Sequence, residues 1–238
     1  MQAIAANDLI LRAANTKTVF AHQHLYSTKN QQPVATELLL REVHGVTLGD
    51  FIKTPGKFVE QAQAIVEGKI QAIQSLIYDW PNHVYFVNFT PDQIASPDFI
   101  TLIKLFTKAK ITASSVAIEV TEDKCNGCEE KLIENIRAAR KLGFSIVVDD
   151  FTKGQSNLLS LISFDPTIVK IDMNMIQASP SSIKHKRLLC ATVRLIHEMG
   201  MKCVIEGVET QEQFDFARIA GADFMQGYFL SKPEIVIV

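Results

Sequence analysis

Leu132-Ile133-Glu134-Asn135-Ile136-Arg137-Ala138-Ala139-Arg140-Lys141-Leu142-Gly143-Phe144-Ser145-Ile146-Val147-Val148-Asp149-Asp150 is the stretch that decides the fold. Leu132, Ile133, Ile136, Ala139 and Leu142 recur at helical spacing, Gly143 stops the helix, and a β-branched run ending in two aspartates follows at once. The same unit recurs. Leu188, Leu189, Thr192, Leu195, Ile196 and Met199 form an apolar face stopped by Gly200, and a helix opening at Thr210, with Gln213 three residues on as a capping box, runs to Gly221. Each glycine releases the chain into another strand, so successive helix, glycine, strand units favour a parallel (β/α)8 barrel of the TIM type; an open doubly wound sheet is the alternative.

Working outward, strands are expected at residues 18–25, 34–40, 83–89, 115–120, 144–149, 167–171, 202–206 and 222–228. That alternation of strands with helices is the pattern of an α/β domain. No Pro/Gly/Ser-rich linker divides the chain, so residues 18–238 are read as one barrel domain, preceded by a partly helical segment at 1–17. With 238 residues, 47% of them hydrophobic, the chain can fill a core unaided. Four scattered cysteines form no disulfide framework, and no apolar run reaches the length of a membrane span, so a cytoplasmic protein without membrane association is expected. A net charge of −2 argues against duplex nucleic acid as a partner but allows a local basic pocket for a phosphate ligand.

Acidic and amide residues recur late in the expected strands: Glu37, Asn88, Glu119, Asp149, Asp150, Glu206 and Gln226, with Lys170, Asp172 and Glu209 beside them. In a parallel barrel the C-terminal strand ends share one face, so these groups converge. One carboxylate at a strand end is ordinarily a solvated residue. Several together repel, and hard divalent cations are the simplest way to hold them ionised. Asp149-Asp150 is the strongest pair, because a turning backbone lets both approach neighbouring metals and lets one bridge. Lys170, inside Ile168-Val169-Lys170-Ile171, needs a counter-charge; it is either a structural ion pair or, beside cations that lower its pKa, a group acting on an attacking water.

The segments Gln23, Glu37-Leu38-Leu39-Leu40-Arg41, Val87-Asn88-Phe89-Thr90, Glu119-Val120-Thr121-Glu122, Asp149-Asp150-Phe151, Lys170-Ile171-Asp172, Glu206-Gly207-Val208-Glu209-Thr210 and Gln226-Gly227-Tyr228-Phe229 resemble, in order, the motifs of the EAL-domain cyclic di-GMP phosphodiesterases. The resemblance runs from about Leu11 to Pro233. It implies Glu37, Asn88, Glu119 and Asp149 as metal ligands, with Asp150 reaching a second metal, the ions being Mg²⁺ or Mn²⁺. Glu206 and Gln226 would support the metal-water shell, Lys170 would act on the nucleophilic water, and Glu209 and Asp172 would lie close by. Arg41 would bind a ligand phosphate and Gln23 would lie near the nucleotide. The implied reaction is hydrolysis of cyclic di-GMP to linear pGpG, and the implied assembly is a homodimer. Such enzymes bias bacteria toward motility and away from biofilm. No attached sensory or cyclase domain is expected at this length, and regulation is expected through expression, oligomerisation or a protein partner.

The chain departs from the family in the loop after the aspartates. Where the family has Asp-Asp-Phe-Gly-Thr-Gly-Tyr-Ser-Ser, this chain reads Asp149-Asp150-Phe151-Thr152-Lys153-Gly154-Gln155-Ser156-Asn157. Thr152 resists a positive φ if the backbone there requires one, and Lys153 either grips a phosphate or weakens the second metal. Glu122 matches the glutamate that tethers this loop. The proline usual after the early glutamine is His24. The alternative to an active phosphodiesterase is a degenerate domain that binds cyclic di-GMP or a protein without catalysis; a barrel acting on another phosphodiester is a further reading. Cys125-Asn126-Gly127-Cys128 lacks the second pair that a zinc site needs. His22, His24 and His44 are placed near the pocket mouth or as ordinary hydrogen-bonding residues, and Trp80, Tyr85 and Phe86 as packing.

Overall fold

The computed structural model describes residues 18–54, 56–121, 124–153 and 158–237. The expected segment 1–17, Glu122 and the loop residues Gly154, Gln155, Ser156 and Asn157 lie outside the described residues.

Eight strands close a barrel: β1 (Thr18–Ser27), β2 (Pro33–Val43), β3 (Val84–Phe89), β4 (Val116–Thr121), β5 (Ser145–Phe151), β6 (Ile168–Ile171), β7 (Lys202–Ile205) and β8 (Phe224–Met225). Helices α1 (Ala62–Leu76), α2 (Phe99–Lys108), α3 (Glu129–Lys141), α4 (Leu158–Phe164), α5 (Ile183–Glu198) and α6 (Gln211–Ala220) connect β2 through β8 in turn. The deciding stretch folds as read. α3 buries Leu132, Ile136 and Ala139, and Gly143 takes φ +94, a left-handed conformation that a side chain resists. α6 starts with the capping box of Thr210 and Gln213. The apolar faces are narrower than the sequence suggests, for Leu142, Leu188 and Met199 stay partly exposed at helix ends and edges.

The barrel is not uniformly parallel. β2 through β8 pair in parallel, but β1 is antiparallel to both neighbours, β2 and β8. Only residues 28–32 separate β1 from β2, enough for a hairpin and too few for the crossover that parallel neighbours need. β8 is shorter than expected, leaving Gln226 and Tyr228 just past its end.

Alternation along the strands sets the functional layer. Leu25, Ala35, Phe86, Ala117, Val147 and Val204 pack together inside the barrel, with Ile168 and Phe224 against them. Side chains two residues apart on a strand share a face. Ala35 is thus followed by Glu37, Phe86 by Asn88, Ala117 by Glu119, Val147 by Asp149, Ile168 by Lys170, Val204 by Glu206 and Phe224 by Gln226. On the reversed β1 the offset inverts, and Gln23 precedes Leu25.

Candidate metal centre at the barrel rim

Lys170 is the hub of that polar layer. Its side chain is 1% exposed, and Nζ lies 2.7 Å from Glu119 Oε1, 2.8 Å from Glu206 Oε1, 3.1 Å from Asp149 Oδ1 and 3.4 Å from Glu37 Oε2. Burial alone would lower its pKa, but Asp149, Glu119, Glu206 and Glu37 outweigh it and hold the ammonium charged. The fall expected of Lys170 depended on neighbouring cations; these carboxylates act in the opposite direction.

The acids are held unevenly. Burial opposes ionisation of Glu37, yet Lys170 together with Gln226 Nε2, 2.8 Å from Oε2, and Asn88 Nδ2, 3.0 Å from Oε1, keeps its pKa below the ordinary value. Burial dominates at the others, pushing Glu119 well up, Asp149 up and Glu206 up to about 8. The fully buried Glu119 meets Lys170 through Oε1 and no other donor among the described residues. Buried carboxylates in want of positive charge, backed by carbonyl and amide oxygens, suit a hard divalent cation. Two triads meet the geometric need: Glu37, Glu119 and Asp149, and Asp149, Asp150 and Glu206, each offering oxygens within 4.8 Å of one another. Asp149 belongs to both, as a bridging ligand would.

Two clefts open from this layer and share Glu37, Leu39, Asp149 and Asp150. One, of about 310 Å³, is lined by Gln23, Lys170, Asp172, Glu206, Glu209, Gln226 and Tyr228. Gln23 lies mid-strand rather than at a strand end, opposite Glu37, and donates to Ser231 O at 2.8 Å. Asp172 caps the short helix Met173–Ala178 by accepting from Asn174 N at 2.9 Å. Glu209 accepts from Gln177 Nε2 at 3.3 Å. The second cleft, of about 500 Å³, holds Arg41 and Asn88 against Leu40, Ile52 and Phe58. It also holds Lys69, which the sequence reading passed over. The signal was present, since Lys69 falls at helical spacing among Ile65, Ala72, Ile73 and Leu76 on the buried face of α1.

The altered loop begins in strained backbone. Asp150 has φ +55 and Thr152 φ +82, so the position where the chain carries threonine does demand the left-handed region. Lys153 Nζ lies 2.6 Å from Asp150 Oδ2. The histidines stay away from both clefts. His24 points outward from β1, its ring 4.4 Å from that of Trp80 and 5.5 Å from that of His83, and His44 bonds Gln61 on the surface. Tyr85 and Phe86 are core residues, as expected.

Barrel and rim together define a class, the TIM-like barrels with a candidate cation centre at the C-terminal strand ends. The sequence family is as plain: the EAL domain matches residues 9–233, and the chain belongs to the EAL-domain family. It is similar to signaling protein YkoW of Bacillus subtilis (strain 168), 28% identical over 241 residues covering 95% of this chain and 30% of that protein. It is also similar to the probable cyclic di-GMP phosphodiesterase PdeN of Escherichia coli (strain K12), 29% identical over 222 residues covering 90% of this chain and 43% of PdeN. The chain thus spans less than half the length of either relative. Among solved structures, a calcium and cyclic di-GMP complex of Klebsiella pneumoniae BlrP1 superposes with a TM-score of 0.82 at 25% identity, covering 94% of this chain and 58% of that one. An EAL-domain protein of Listeria monocytogenes EGD-e gives 0.77 at 25% identity, covering 98% and 95%.

Proposed function

We propose that this domain is a metal-dependent phosphodiesterase that opens cyclic di-GMP to linear pGpG. The observation that carries the reading is the pair of acid triads sharing Asp149, with Lys170 at their centre. Family membership and relatives named for cyclic di-GMP support the choice of substrate. Glu37, Asn88, Glu119, Asp149 and Asp150 would hold two Mg²⁺ or Mn²⁺ ions, with Glu206 and Gln226 bracing them. Bound there, such ions supply Lewis-acid chemistry, polarising the phosphodiester and offsetting the charge that builds on it.

The chain's own groups do the rest. Asn88 and Gln226 donate to the two oxygens of Glu37 and fix its carboxylate. Lys170, a charged donor ringed by acids, orients the attacking water. Arg41, four residues after Glu37 and in the adjoining cleft, offers a planar fork of donors to a phosphate. Gln23, Glu209 and Asp172 line the opposite cleft and position the nucleotide. Leu158, Leu159 and Ile162 leave an apolar strip of α4 more than half exposed, which supports a homodimer through that helix. Among the described residues no helix is long and apolar enough to cross a membrane.

Purified protein incubated with cyclic di-GMP and Mg²⁺ or Mn²⁺, with the nucleotides separated by chromatography, tests the reading. Linear pGpG is expected, and Glu37→Ala should slow its formation by about 100-fold or more, the upper end of what disturbing a metal's surroundings does. Tight binding without product would sink it. That outcome would favour the second reading, a cyclic di-GMP receptor, for which the strained Thr152 and the Lys153–Asp150 pair are the specific support.

A further inference from the structure

Lys69 is a lysine where the fold calls for an apolar side chain. It is 2% exposed on the face of α1 that also buries Ile65, Val66, Ile70, Ile73 and Leu76. Burying an ammonium is costly unless other groups compensate, and here burial lowers the pKa to about 7 against the pull of Glu119. Among the described residues no carboxylate lies within 4.0 Å of its Nζ. Its neighbours are of another kind. Nζ donates a hydrogen bond to the main-chain oxygen of Asn88 and lies 3.6 Å from the centroid of the Phe89 ring.

Asn88 and Phe89 are the last two residues of β3. There the chain leaves the barrel wall for the capped helix Pro91–Ala95, and the Asn88 side chain reaches Glu37 at 3.0 Å. We propose that Lys69 is a positioning residue of the metal centre, clamping the Asn88 carbonyl from behind so that its amide meets the cations and Glu37 at a fixed height on the rim. The inference rests on reading the acid triads as a metal centre. Charged or neutral, the lysine nitrogen has an N–H to donate, so the clamp does not depend on its protonation. A leucine or methionine would fill the space in α1 without the desolvation cost, but would leave the strand end unheld.

The test is a double-mutant cycle on the full chain, read as Mn²⁺ affinity and stoichiometry by calorimetry and electron paramagnetic resonance in the absence of nucleotide. Lys69→Met is expected to keep the circular dichroism spectrum and weaken Mn²⁺ binding by about tenfold, the usual scale for a residue behind a ligand. In an Asn88→Ala background the same substitution should change the affinity less than twofold or so, because its route runs through Asn88. If Lys69→Met does not fold, Lys69→Gln, too short to reach the carbonyl, enters the same cycle with the same expectations. A folded variant with wild-type Mn²⁺ affinity, or an equal loss in both backgrounds, overturns the proposal. Mn²⁺ binding without hydrolysis in the wild type would defeat the phosphodiesterase reading and leave this one standing, whereas a wild type that binds no Mn²⁺ overturns both.

Discussion

Thr152 carries a methyl and a hydroxyl on its Cβ at a φ of +82, where an L-residue pays roughly 1 kcal/mol or more and glycine almost nothing. Thr152→Gly is therefore expected to stabilise the protein by about 1 kcal/mol, seen as a higher urea midpoint at unchanged slope. Its neighbour acts through charge. Lys153 is 60% exposed and stands 2.6 Å from Asp150, so it competes with any cation drawn to that carboxylate. An exposed pair of this kind is worth about 0.2 to 1 kcal/mol. Lys153→Ala should tighten Mn²⁺ binding by about twofold to fivefold in a calorimetric titration, fading at high salt. The sequence left open whether Lys153 grips a phosphate or disturbs a metal; its contact with Asp150 favours the second.

On the scale of elements, β1, β2 and the start of β3 share a histidine cluster outside the barrel. Thr36 Oγ1 lies 2.8 Å from His83 Nδ1 and 3.1 Å from His24 Nδ1, with Trp80 packed over both rings. Burial, then the nearby His22 and His83, lowers the His24 pKa to about 4, and burial lowers those of His22 and His83 too. A folded-state pKa below the unfolded value near 6.5 means that the unfolded chain takes up protons first on acidification. The stabilisation is fully present above about pH 6.5 and is lost as pH falls from there toward about 4. Solvent reaches the half-buried His24 ring and screens the effect, so its share of the loss is on the order of 1 kcal/mol. Urea titrations at pH 7.5 and 5.0 should show this drop, and His24→Phe should flatten it; an equal drop in the variant would refute the assignment.

How far the elements were legible follows from particular residues. The helix, glycine, strand units around Gly143, Gly200 and Gly221 are local signals, and they gave the barrel. Ala117 and Glu119, or Val147 and Asp149, already show the two-residue step from packing to chemistry. The direction of β1 was also written in the chain, as five residues between strands, but it reads only once loop length is weighed against strand direction. Lys69 and the outward turn of His24 were harder, because each depends on which side chains lie across a strand or a helix, and spacing along one segment carries no such information.

For the whole molecule the rim acids are a reservoir of unspent stability. Glu119, Asp149 and Glu206 resist ionisation where they are buried, and a cation that binds only the folded form stabilises it by mass action. At a hundredfold excess over its Kd, Mn²⁺ should add about 2.7 kcal/mol, or roughly 5 to 10 °C in Tm, and a chelator should remove it. A melting temperature indifferent to both would count against the metal centre. The shared ligand makes the effect cooperative in a specific way, since Asp149→Ala takes an oxygen from both triads at once and should abolish the shift.

The apolar plug of Leu25, Ala35, Phe86, Ala117, Val147 and Val204 lies directly beneath the polar layer. It fills the barrel from below, so the described approaches are the two clefts at the rim. If the proposed hydrolysis holds, a water molecule, an incoming ring and a linear product would all use the rim, and a slow-leaving product would bar the next substrate. Any chemistry at this site is therefore subject to traffic in a cul-de-sac, and its turnover is tied to how quickly the two flanking clefts let go.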